Sequence, residues 1–166
     1  MCGIVAVVQP TAAEVYEELA PAVRGYFLGR GATDPDDLTG DVFVRVAERL
    51  GGFRGDRAAL RRWVFTIAHN RLVDEYRRSG RRPDAPMAAP PDTTPTSPVP
   101  ESLDPDLLAA LAELTDDQRA VVVLRFVADL PVRDVAKVLG RRSGAVKMLQ
   151  ARGLEALRVA LEPGRT

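Results

Sequence analysis

At 166 residues and 18.0 kDa, the chain has room for one medium domain or two small ones, not for a large enzyme. Its 46% hydrophobic content supports a packed core, while a formal net charge of zero gives no overall bias towards nucleic acid. A single Cys (Cys2) excludes an internal disulfide, and with a single His (His69) no Cys/His zinc site can be assembled, so neither metal nor cofactor is expected.

Taken in chain order, the pattern is helical. Met1-Cys2-Gly3-Ile4-Val5 opens like an enzyme that uses an N-terminal Cys nucleophile, an amidotransferase for example. Such a domain is β-rich and longer than this chain, and nothing after residue 8 reads as strands. Thr11-Ala12-Ala13-Glu14 is a capping box that starts a helix running towards Leu28. Asp34-Pro35 supplies an N-cap with Pro at the first helical position, and Leu38, Val42, Val46 and Leu50 then recur every fourth residue until Gly51-Gly52.

A loop, Phe53 to Ala58, leads into a helix over about 59–78 with the apolar stripe Leu60, Trp63, Val64, Ile67, Leu72 and Tyr76. Thr66, Asn70, Asp74, Arg77 and Arg78 fall on the opposite face, and Arg57, Arg61 and Arg62 flank its start. A face of amide, carboxylate and guanidinium can read base edges as well as hold phosphates. An alternative for Asn70 is service to a neighbouring loop's backbone. Trp63 is assigned to the core by its place on the apolar stripe, and His69, with no acid–base partner nearby, to the surface.

Residues 83–104 hold seven of the thirteen prolines, with Ser, Thr and Ala between them, and read as an extended linker. Eight of the nine aromatics precede it, so two domains are expected, 1–82 and 105–166. Charge follows the same division. Arg45 to Arg82 carries eleven Arg against four acids, and Arg133 to Arg152 six bases against Asp134, while Glu14 to Asp41 and the linker are acidic. Two basic segments separated by an acidic one suggest two anion-binding heads, although solvated helix faces would give the same count.

Beyond the linker, Asp104-Pro105 caps a short helix through Leu114, and Thr115-Asp116-Asp117-Gln118 is a second capping box, for a helix to about Ala128. Its apolar run Ala120–Leu124 is far too short to span a bilayer, and no signal peptide is visible; a soluble, cytoplasmic protein with no membrane contact of its own is expected. From Pro131 to Leu157, the spacing of Ala136, Gly140 and Val146 suits a helix-turn-helix: a small residue for close approach, Gly for positive φ in the turn, a branched anchor on the second helix. Ser143 is expected to cap that second helix, aiming Arg141, Arg142, Lys147 and Arg152 at phosphates and Met148 and Ala151 at thymine methyls. The predicted class is all-α.

These residues carry a family likeness. Asp36 to Phe43, Phe53-Arg54-Gly55 and Arg62 to Asp74 resemble region 2 of extracytoplasmic-function (ECF) sigma factors of bacterial RNA polymerase, and Leu114 to Arg125 with the helix-turn-helix resembles their region 4. The resemblance implies a non-catalytic promoter-specificity subunit whose partners are core RNA polymerase, promoter DNA in duplex and single-stranded non-template form, and an anti-sigma factor. It implies polymerase contacts from Asp37, Leu38, Asp41, Val42 and Arg45. It implies minus-ten element contacts from Arg54, Asp56, Arg57, Arg61, Arg62, Asn70, Asp74, Arg77 and Arg78, with Phe53–Ala58 capturing a flipped base. It implies minus-thirty-five contacts from Arg141, Arg142, Ser143, Lys147, Met148, Ala151 and Arg152. Gly40, Ala151 and Gly153 depart from residues common there (Gln, His and Ala), and Met1–Gln9 has no counterpart. A linker of 22 residues extended at ~3.1 Å per residue reaches roughly 68 Å, which with two domain radii covers the ~80 Å between the two elements. The alternative within DNA binding is a stand-alone helix-turn-helix regulator.

Overall fold

The computed structural model describes residues 9–80 and 103–163. Among these, seven α-helices and no strands are found. Met1–Val5, with the Cys2 that suggested an N-terminal nucleophile, and most of the predicted linker lie outside the described residues.

Helices α1 (Ala12–Gly29), α2 (Pro35–Arg49) and α3 (Arg57–Ser79) form an N-terminal bundle. Both halves of the Thr11/Glu14 capping box are made, at 3.2 and 2.8 Å, and Asp34 caps α2 with Pro35 behind it. Pro21 stands on the exposed side of α1, which continues through it, while Val15, Leu19, Val23, Tyr26 and Phe27 face inward. Leu38, Val42 and Val46 of α2 and Leu60, Val64, Phe65, Ala68 and Leu72 of α3 complete the core. Each large side chain removed from water there contributes about 1.5–3 kcal/mol. A short 3-10 turn at Leu50–Gly52 ends α2. Helix α3 starts at Arg57, two residues earlier than the pattern predicted, because Asp56 caps it by accepting from the Ala59 amide at 2.8 Å.

The C-terminal bundle comprises α4 (Pro105–Ala112), α5 (Asp116–Phe126), α6 (Val132–Leu139) and α7 (Ser143–Ala160). The Thr115/Gln118 capping box is present, and Val121 to Leu124 are all buried, Val122 against α7 and Val123 against α1. Gly153 makes that approach possible. A Cβ there would stand 2.8 Å from a Val122 methyl.

The two bundles share one continuous apolar cluster. Arg30, 3% exposed at the end of α1, donates to the Tyr26 hydroxyl at 2.8 Å and to the Asp116 carboxylate at 3.1 Å. Arg119 donates to the Gly29 carbonyl at 2.5 Å, Arg61 to the Ala128 carbonyl at 2.6 Å, and Arg62 pairs with Asp134 at 3.2 Å.

His69 belongs to this region rather than to the surface. Its Nδ1 lies 3.1 Å from the Tyr26 hydroxyl, whose own pKa burial raises to about 12. Burial, reinforced by the Arg30 charge, lowers the imidazole pKa from 6.5 to about 4. His69 is therefore neutral in the folded chain, while the unfolded chain takes up a proton as pH falls below 6.5. Its contribution to stability is complete above that pH and is lost on the way down to pH 4, on the order of 2–3 kcal/mol. Thermal unfolding between pH 7 and 4.5 should show this fall, and His69→Gln should flatten it. An unchanged pH profile in the variant would assign the fall to other groups.

Candidate nucleic-acid interface

The first candidate surface begins at the loop before α3. Gly55 has φ +150°, and a Cβ there would meet Ala59 at 2.9 Å, so the loop folds tightly onto the helix start. Arg54 donates to the carbonyls of Gly51 and Phe53 at 3.2 and 2.9 Å, and Phe53 stacks against the half-buried Trp63 with ring centroids 5.1 Å apart. Gln9 donates to the Phe53 carbonyl at 2.6 Å. Gln9, Phe53 and Gly55, together with Glu14, Glu17, Glu18 and Arg57, line a cleft of about 790 Å³. Arg57 is 84% exposed and pairs with Glu18 at 2.9 Å, a contact worth ~0–1 kcal/mol that a phosphate can replace.

Along α3 the predicted row divides. Asn70, Arg77 and Arg78 are exposed, and Gly80 closes the helix in the left-handed conformation. Asp74 is half-buried, and Thr66 turns its hydroxyl back to the Arg62 carbonyl. Arg61 and Arg62 are engaged by the C-terminal bundle, as described above. Asp56 spends its carboxylate on the helix cap.

On α2 the five predicted contact residues also separate. Asp37 and Arg45 are exposed, whereas Leu38 and Val42 are 3% and 0% exposed and support the surface from beneath. Asp41 is held at 2.9 Å by Arg71, a buried side chain that also pairs with Glu75 at 3.1 Å. Gly40 lies on the open side, with no atom within 4 Å of where a Cβ would be. Exposed Val44 and Tyr16, the latter edge-on to Phe43 at 5.0 Å, add an apolar element that the sequence pattern did not single out.

The second surface is the start of α7. Gly140 takes φ +64° in the turn, and Val146 and Ala136 are buried where the helices cross. Ser143 is the first helical residue instead of the cap; Arg142 occupies the N-cap, with no side-chain capping bond. The first amides of α7 are therefore open to an anion. Arg141, Arg142, Ser143, Lys147, Met148, Ala151 and Arg152 are all exposed, Arg141 with an exchangeable 2.8 Å pair to Asp117. Among the described residues, no three His, Cys, Asp or Glu converge as a metal site, and no helix is long and apolar enough to cross a membrane.

Residues 15–82 match the family model Sigma-70 region 2, and residues 110–159 match Sigma-70, region 4. The chain is 32% identical to the ECF RNA polymerase sigma factor BldN of Streptomyces coelicolor, with 86% of this chain aligned, and spans 57% of that relative's length. It is 31% identical to the RNA polymerase sigma factor CarQ of Myxococcus xanthus, covering 90% of this chain and 91% of CarQ. The fold is similar to that of the sigma factor RpoE from Bartonella quintana, solved in complex with the anti-sigma factor NepR. The TM-score is 0.73 at 24% identity, over 92% of this chain and 98% of that one.

The exposed start of α7 sets an expectation for duplex DNA. Lys147→Ala should lower affinity across sequences alike and flatten the dependence on salt by about one unit, if its partner is a phosphate. Titrations at several salt concentrations measure both quantities. Loss confined to one sequence would make Lys147 a base reader.

Proposed function

Starting from the fact that the chain belongs to the ECF sigma factors, we propose that it directs core RNA polymerase to promoters and opens the DNA there, with no catalytic activity of its own. The observation that carries this reading is the pairing, in one chain, of an open helix-turn-helix start on α7 with an exposed Asn70–Arg77–Arg78 row on α3. A stand-alone regulator has no use for the second. Residues 1–82 and 105–166 act as the two DNA-facing domains, the Pro-rich stretch between them spans the distance between promoter elements, and the site of action is the cytoplasm. An anti-sigma factor is the expected regulator, a partner of the kind seen on the Bartonella neighbour.

In this reading the start of α7 enters the major groove of the minus-thirty-five element, where duplex base edges are distinguishable. Asn70, Arg77 and Arg78 engage the minus-ten element after it opens, with the Phe53-lined cleft taking a base out of the stack. A base offers its pairing edge only once unstacked, at a cost of a few kcal/mol that single-stranded DNA has already met. Asn70→Ala should accordingly impair promoter opening, and a pre-melted bubble template should largely restore it. Equal loss on duplex and bubble templates would contradict a role in opening.

The polymerase contact falls to the open side of α2, to Asp37 and Arg45 with Val44 and Tyr16 beside them. Asp37→Arg should weaken binding to core polymerase, since a reversed charge at a close interface costs several kcal/mol. Asp41 is left intact in this experiment because it holds buried Arg71. Wild-type affinity in the Asp37→Arg variant would remove the docking assignment.

A further inference from the structure

We propose that Arg71 is a positioning residue for docking on core polymerase. From beneath the surface it holds Asp41 of α2 and Glu75 of α3 as one preset pair of carboxylates, and so carries the docking face from α2 onto α3. The inference rests on the assignment of α2 to the polymerase and adds to it the part of α3 that the partner meets.

The geometry is that of a fork. Arg71 is 7% exposed, and its Nε and Nη2 both lie 2.9 Å from Oδ2 of Asp41. Its Nη1 donates to Oε2 of Glu75, one turn further along α3, at 3.1 Å. Among the described residues, Oδ1 of Asp41 and Oε1 of Glu75 accept no hydrogen bond. The two acidic side chains are 43% and 42% exposed. Each carboxylate thus spends one oxygen on Arg71 and keeps the other for a group outside the chain.

Charge points the same way. A single guanidinium set between two carboxylates leaves one negative charge uncompensated at the surface. Asp37, one turn before Asp41 and exposed, extends that charge along α2. Beside Asp41, Gly40 has no atom within 4 Å of where a Cβ would be, so a long basic side chain of the partner has room to reach the pair. Without the fork the two like charges repel, and each carboxylate keeps its own rotamer freedom until the partner orders it. The planar guanidinium does that ordering in advance, which a lysine ammonium, a point charge on a flexible stem, cannot do for two partners at once.

The test measures binding of the full chain to core polymerase over a range of salt concentrations. It compares wild type with Asp41→Asn plus Glu75→Gln, with Arg71→Lys, and with all three changes together. Asn and Gln keep an oxygen that accepts from Arg71 while removing the charge a partner would feel, and thermal unfolding checks that each variant is folded. The double carboxamide variant should bind on the order of tenfold more weakly, with a flatter dependence on salt. Arg71→Lys should lose several-fold when the carboxylates are present and little more once they are gone, because it acts through them. Equal losses from Arg71→Lys in both backgrounds would make Arg71 a structural residue and overturn the proposal. Wild-type affinity and salt dependence in the double carboxamide variant would overturn it as well, and if Asp37→Arg still weakens binding, the docking assignment of α2 survives that failure. A wild-type chain that does not bind core polymerase removes the docking assignment and this inference together.

Discussion

The arginine at the end of α1 is the constraint around which the two bundles are arranged. Arg30 lies beneath the surface with its charge met by Tyr26 on its own helix and Asp116 on the other bundle, while its carbonyl receives the Tyr76 hydroxyl at 3.0 Å. Removing one partner of a buried pair costs about 3–5 kcal/mol, against ~0–1 kcal/mol for an exposed pair such as Arg57–Glu18. Whatever holds Arg30 therefore sets how α1, α3 and α5 meet, and His69 is kept neutral by the same charge and the same burial. Arg119 on the Gly29 carbonyl repeats the device one residue earlier on α1, with a guanidinium at the negative end of the helix.

That junction connects packing with function. Helix α3 is the element through which both pass: its inner face carries the N-terminal core, its first turns carry Arg61 and Arg62 towards α5 and α6, and its last turns leave Asn70, Arg77 and Arg78 in solvent. The start of α7, by contrast, is open in the same arrangement. The two candidate DNA-facing surfaces thus differ in availability, although their sequences are similarly basic. Net charge of zero conceals this, because the acids that balance the basic segments lie in residues 14–41, the linker and residues 106–132.

Much of the fold was legible because its signals are local. Capping boxes at Thr11 and Thr115, Asp-Pro at Asp34 and Asp104, and four-residue apolar spacing on α2 each act within one or two turns, and the helices follow them. The turn at Gly140 with its Val146 anchor was equally readable. What escaped was set by tertiary partners. His69 looked solitary because Tyr26 is 43 positions away, and no local pattern marks Arg30, Asp116 and Asp134 as ion-pair partners because they meet across the chain. Ser143 was a reasonable cap by residue type, yet the helix begins one residue earlier than that choice allows. Leu38 and Val42 matched a docking motif by position while their periodicity already marked them as core.

A sigma factor of this kind is proposed to give promoter specificity to RNA polymerase. The most direct measurement adds the purified chain to bacterial core polymerase and maps the starts of transcripts made from a genomic promoter library. A sigma factor should co-purify with core polymerase and give discrete start sites that are absent when the chain is omitted and that share an upstream pair of elements. A chain that binds duplex DNA but neither associates with core polymerase nor changes where transcripts begin would contradict it.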